Sequence, residues 1–150
     1  MSSLRSFEEL DAWKIGTEIR RELMTVVSSF PASELYMLRS QIIRASRSVT
    51  NNIAEGYGRY TYKDNIKFLV NSRGSLHELL DHLIIAVDEK YLEEETFRLI
   101  KEKILRCISV INGLIRYLRN AKPDELTVKE PISSYSTEYP MVAEYISNPD

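Results

Sequence analysis

The chain has 150 residues, 43 % hydrophobic and 28 % charged, with 20 lysines and arginines against 22 acids and a formal net charge of −2. This length predicts one domain and this composition an ordinary globular protein, so disordered, fibrous and membrane-spanning classes are excluded, and nothing in the bulk charge points to nucleic acid. One cysteine, Cys107, rules out an intrachain disulfide, and Met1-Ser2-Ser3-Leu4-Arg5 lacks the apolar run of a signal peptide, which together predict a cytoplasmic setting with no membrane partner.

In chain order, the first helix is predicted from Phe7 to Val27. Ser6 caps it and Glu9 completes a capping box. Ala12, Ile15, Ile19, Leu23, Val26 and Val27 recur at three and four residues, the period of one helical face. Phe7 and Trp13 flank that stripe and read as a plug for the bundle end or as an exposed interface. Phe30-Pro31 ends the segment, because a residue before proline avoids helical angles. The second helix is predicted from Ser33, as cap, to about Gly56. Its seam is Leu35, Leu38, Ile42, Ala45 and Val49. Arg44, Arg47 and Asn51 fall on the far side of that seam, with Arg39 flanking it.

Asn51 to Arg59 (NNIAEGYGR) forms the hinge of the chain and holds two of its five glycines. Two readings stand here. Gly56 and Gly58 take positive φ and cap the helix, which is the commoner use of glycine; or another backbone or a ligand comes close. The third helix runs from about Lys63 to Val87, with Ile66, Leu69, Leu76, Leu80, Leu83 and Val87 as its stripe. In that register Arg73 occupies a core position beside Gly74. A buried arginine needs a partner, so Arg73, Glu55 and Asn52 are expected to meet as a structural polar cluster, with close packing at Gly74. The fourth helix spans Glu94 to Asn120 on Phe97, Ile100, Ile104, Ile108, Ile111, Ile115 and Leu118, and Cys107 reads as a small core residue. Residues 1–120 are thus a bundle domain. Residues 121–150 hold four of the chain's five prolines together with Tyr135, Tyr139 and Tyr145, and read as a C-terminal extension that either docks on a surface or stays loose.

The chemistry of an enzyme is hard to assemble from these residues. His77 and His82 are five apart and neither follows a glutamate by three, so the carboxylate–histidine pairs of a di-metal bundle are missing. There is no cysteine–histidine cluster, phosphate-binding glycine loop or Ser-His-Asp arrangement. The expectation is no enzyme, no metal and no cofactor. Charge distribution is more informative than its total. From Arg39 to Arg73 there are seven basic residues and two acidic ones; the rest of the chain has thirteen basic against twenty acidic.

The pieces Phe7-Glu8-Glu9-Leu10, Trp13-Lys14, Phe30-Pro31, LRSQIIRA at 38–45, SVTNNIAEGYGR at 48–59, and Gly74-Ser75-Leu76 with Glu78-Leu79 occur in order over residues 7–120. Together they resemble the signature of the four-helix-bundle family first known from intervening sequences of 23S ribosomal RNA genes. That family is similar to the accessory protein of diversity-generating retroelements, a five-fold barrel that binds nucleic acid. The resemblance implies an all-α, antiparallel up-down-up-down bundle and a ring-shaped homo-oligomer, most simply a pentamer. It also directs attention to nucleic acid, structured RNA or DNA. Arg39, Arg44, Arg47, Arg59, Lys63 and Lys67 are then the candidate contacts, with Tyr57, Tyr60 and Tyr62 available to stack on bases. The competing reading pairs these charges with acids of other helices or protomers, and leaves a protein-only scaffold for a partner such as a polymerase or reverse transcriptase.

Overall fold

The structure, a computed structural model, describes residues 6–121. Four helices account for most of it: α1 Asp11–Val27, α2 Leu38–Tyr57, α3 Tyr62–Asp88 and α4 Glu94–Asn120. α2 and α3 pack most extensively, α1 lies beside α2, and α4 lies beside both α3 and α1, which closes a ring of four around one core. The short links make neighbours antiparallel, as in an up-down-up-down bundle. The C-terminal extension falls outside the described residues from position 122 onward.

Two helices start later than their periodicity suggests, because a 3₁₀ turn replaces the first helical turn. The Ser6 hydroxyl accepts from the Glu8 amide at 3.2 Å and starts a turn over Phe7–Glu9. Leu10 then turns extended and enters the core, so α1 begins at Asp11. Glu9 does not complete a capping box; its own amide donates to the Ser6 carbonyl. Phe7 and Trp13 meet edge to face at 5.5 Å and, partly buried, pack against the core, as the plug reading expects. After Pro31 a second 3₁₀ turn covers Ala32–Glu34, and α2 begins at Leu38 rather than directly after Ser33. The Glu34 carboxylate does the capping: it accepts from the Leu38 amide at 3.1 Å and from the Tyr91 hydroxyl at 3.2 Å. The Tyr91 ring lies 5.6 Å from Phe30, so one end of the bundle is tied across two loops. Leu35, expected in the seam, is 41 % exposed; the seam runs Leu38, Ile42, Ala45, Val49, Ile53 and Gly56.

The α2–α3 contact decides the reading of the glycines. No glycine among the described residues has positive φ, and Gly58 sits at φ −76°. Gly56 instead faces α3 at close range: a Cβ there would lie 2.6 Å from Asn65 Oδ1, 2.9 Å from Phe68 Cβ and 3.1 Å from the Asn65 carbonyl. Small residues continue this contact up the helices. Ser72 donates to the Val49 carbonyl at 2.8 Å, and the Ser48 and Ser75 hydroxyls are 2.8 Å apart.

α3 is rotated from the expected register. Its buried positions are Tyr62, Asn65, Leu69, Ser72, Ser75, Leu76, Leu79, Leu83 and Ala86, while Ile66, Leu80 and Val87 are partly buried flanks. Ser72 therefore takes the core position that the larger apolar residues had assigned to Arg73. Gly74 faces outward, and a Cβ added there would meet nothing within 4 Å, so no close packing occurs at this position. Thr61 caps α3 by accepting from the Asp64 amide at 3.2 Å. Lys90, at φ 63°, turns the chain into α4. α4 buries Ile100, Ile104, Cys107, Ile108, Ile111, Leu114, Ile115 and Leu118, and the Cys107 thiol donates to the Ala12 carbonyl at 3.6 Å.

Candidate nucleic-acid interface

Because the Leu38–Gly56 seam faces the core, the opposite side of α2 carries the residues between its steps. Arg44 and Arg47 are one turn apart there. Arg39 lies about 12 Å further along the axis from Arg47, at 1.5 Å per residue. The chain before α2 bends over this side, and the two form an open groove of about 570 Å³. Arg39, Arg44, Arg47, Ser40, Ser48 and Asn51 supply its polar wall, and Leu35, Tyr36 and Ile43 its apolar one. Among the described residues none of the three arginines makes an ion pair. The Arg39 Nε is enclosed and makes no hydrogen bond. Tyr36 is 89 % exposed.

The other candidate cations are placed at the α2–α3 turn and are mostly engaged. Arg59 pairs with Glu55 at 2.7 Å and lies 4.5 Å over the Phe68 ring. Lys67 pairs with Asp64 at 3.3 Å. The Thr61 hydroxyl, and then Lys67, hold the Asp64 carboxyl below the usual range. Lys63 is exposed. Of the three tyrosines here, Tyr62 is buried in the core and Tyr57 is half-buried, where burial and then the Glu9 charge push its hydroxyl up. Only Tyr60 is open to a base.

Asn52, Glu55 and Arg73 are not brought together. Asn52 donates to the Ser48 carbonyl at 2.8 Å, Glu55 takes Arg59, and Arg73 donates to Asn112 Oδ1 on α4 at 2.8 Å. Each has a nearer partner than the other two, and Arg73 leaves the α2 side of α3 altogether. The residues that sequence reasoning did not single out are Leu35 and Tyr36 as a wall, and Ser40 and Ile43 between the arginines. Their signal was the run Leu35-Tyr36-Met37, three large apolar residues before the first buried step of α2, all exposed.

No group of three or more His, Cys, Asp or Glu side chains among the described residues is placed to hold a metal. His82 contacts Glu78 at 3.3 Å. Burial pushes the Cys107 thiol up to about 12, far from a nucleophile at neutral pH. No helix of the described residues is long and apolar enough to cross a membrane.

These features define an all-α four-helix bundle with an arginine-lined groove on its second helix. Residues 8–113 match the family of 23S rRNA-intervening sequence proteins, and the chain belongs to that family. No curated protein matches the chain.

Proposed function

We propose that this protein is a non-enzymatic binding protein whose ligand is nucleic acid, structured RNA or DNA, and that it works as a ring-shaped homo-oligomer, a pentamer, in the cytoplasm. The observation that carries the reading is the set Arg39, Arg44 and Arg47: three guanidinium groups on one side of α2, without acidic partners, beside an exposed aromatic ring. Guanidinium groups match phosphate oxygens in a bidentate way, and an unpaired arginine needs no internal bond broken first. A ring repeats the patch, so weak single contacts multiply through effective concentration. The family's link to ribosomal RNA genes supports the same ligand class.

The test is a titration of fluorescent single-stranded and duplex RNA and DNA at low and moderate salt. Binding is expected to weaken steeply as salt rises, by counterion release. It is expected to fall in Arg39→Ala/Arg44→Ala/Arg47→Ala, with light scattering reporting the ring in both proteins. No binding at low salt, or binding indifferent to the triple substitution, would retire the reading. The second reading, a protein-only scaffold for a polymerase or reverse transcriptase, is favoured by the exposed Val70, Ile84, Ile85 and Leu99, which offer apolar surface on α3 and α4.

A further inference from the structure

We infer that the α2 groove takes a single unpaired nucleotide, its phosphate held between Arg44 and Arg47 and its base laid against Tyr36, so that the protein reads single strands or strand ends in preference to duplex. This deepens the nucleic-acid reading and rests on it.

Three features of the groove select this ligand. The first is size. About 570 Å³ lies within the range of pockets that enclose one small organic molecule. A duplex offers its phosphates at the outside and keeps its base faces covered by their neighbours. It would use the arginines and leave the apolar wall in water. The second feature is that wall. Tyr36 is 89 % exposed and stands next to Leu35, itself 41 % exposed. An aromatic ring kept open beside cations is the combination that grips unpaired bases, by stacking on one part and phosphate contact on the other. The third feature is the unused charge. Among the described residues Arg39, Arg44 and Arg47 make no ion pair, so their guanidinium groups are available to a nucleotide's phosphate.

The basic end near Arg59 and Lys67 does not compete on these terms. Its charges are already taken by Glu55 and Asp64, and the Arg59 guanidinium covers the Phe68 ring that a base would otherwise use.

The test compares the wild type with Tyr36→Ala, Arg44→Ala/Arg47→Ala and the control Arg59→Ala. Each is titrated with a short single-stranded RNA, its blunt duplex and uridine monophosphate, with thermal melts confirming that the fold is kept. The wild type is expected to prefer single strand. Tyr36→Ala is expected to lose single-strand affinity on the order of ten-fold while its salt slope stays put. The arginine pair is expected to lower that slope by about 0.7, one phosphate contact on a single strand. Arg59→Ala is expected to behave as the wild type. Salt-sensitive RNA binding that ignores Tyr36→Ala, or that favours duplex, overturns the single-nucleotide groove and leaves the nucleic-acid reading standing. If no RNA binds at low salt, and the same strands made as DNA do not bind either, the nucleic-acid reading falls. Uridine monophosphate then decides the groove: saturable binding lost in Tyr36→Ala upholds it, and no binding overturns it as well.

Discussion

Replacing Gly56 and Gly74 by alanine, one at a time, should move stability in opposite directions. Both glycines lie inside helices, where alanine is better than glycine by about 1 kcal/mol, so propensity alone predicts the same gain twice. Their surroundings differ. At Gly74 nothing lies within 4 Å of the new methyl, so the gain is expected in full, about 0.5–1 kcal/mol. At Gly56 the methyl meets Asn65 Oδ1 at 2.6 Å, Phe68 Cβ at 2.9 Å and the Asn65 carbonyl at 3.1 Å. The Asn65 amide can swing away, but the other two atoms belong to the α3 backbone or are fixed directly to it. α2 and α3 must part, and overpacking of this kind costs roughly 1–3 kcal/mol. Set against the propensity gain, the net is a loss of up to about 2 kcal/mol, or a melting temperature lower by up to roughly 8 °C for a chain of this size. Gly58→Ala is the internal control: φ is −76° and the nearest atom is 3.5 Å away, so it should stay within about 0.5 kcal/mol of wild type. Urea unfolding followed by helical circular dichroism reads all three, provided the m-value is unchanged. Equal midpoints for Gly56→Ala and Gly74→Ala would refute the close α2–α3 approach.

A double-mutant cycle on Arg73→Ala and Asn112→Ala should give a coupling of about 1 kcal/mol, because the 2.8 Å bond is part-buried and joins α3 to α4; simple additivity would deny it an energetic role. Glu55→Gln, by contrast, breaks only an exposed pair and should shift the urea midpoint by less than about 1 kcal/mol equivalent. Asp64 is held below the usual carboxyl range first by Thr61 and then by Lys67, so its contribution is complete above the unfolded value near about pH 4 and is lost as pH falls through the lower folded value. The stability gap between wild type and Asp64→Asn should therefore close on acidification, and a gap that widens would reverse the sign argued here. Cys107, buried with its thiol pushed up to about 12, should react with an aromatic disulfide reagent only at the rate of unfolding, accelerating with urea; fast labelling in native buffer would contradict its placement.

The bundle was legible because α1, α2 and α4 each carry large apolar residues at helical spacing, and hydrophobicity alone finds such stripes. α3 was misread by the same logic. Ile66 and Leu80 are larger and more apolar than Asn65 and Ser72, yet the smaller residues face α2 because helices that approach closely need small side chains between them. The first two helix starts were misplaced by four residues because Ser6 and Glu34 do cap, but across 3₁₀ turns whose presence no spacing rule announces. The polar cluster failed for a local reason. Glu55 and Arg59 stand four apart, and Asp64 and Lys67 three apart, spacings that pair on a helix surface and outcompete longer-range partners. That rule alone would have trimmed Arg59 and Lys67 from the unpaired cations. The arginines of the groove were legible from the α2 register; its apolar wall was not, since Leu35 and Tyr36 precede the helix and obey no period.

The acidic total and the basic groove coexist because the fold separates them. Glu93, Glu94, Glu95 and Glu102 belong to the start of α4, and Arg98 is already bonded to two of them. α4 packs on α1 and α3, so it stands diagonally across the bundle from α2. With neighbouring axes about 8–10 Å apart, the diagonal between the α2 and α4 axes is roughly 11–14 Å. Near physiological salt the Debye length is about 8 Å, so these acids are largely screened from a phosphate seated at Arg44 and Arg47. On the proposed nucleic-acid reading, the net charge of −2 governs only the long-range approach, where it slows encounter, while the contact itself is set by three local arginines. A protein built this way gains little from non-specific attraction to any polyanion and depends on the fit of the groove, which is the physical reason its ligand preference should follow Tyr36 as much as the arginines.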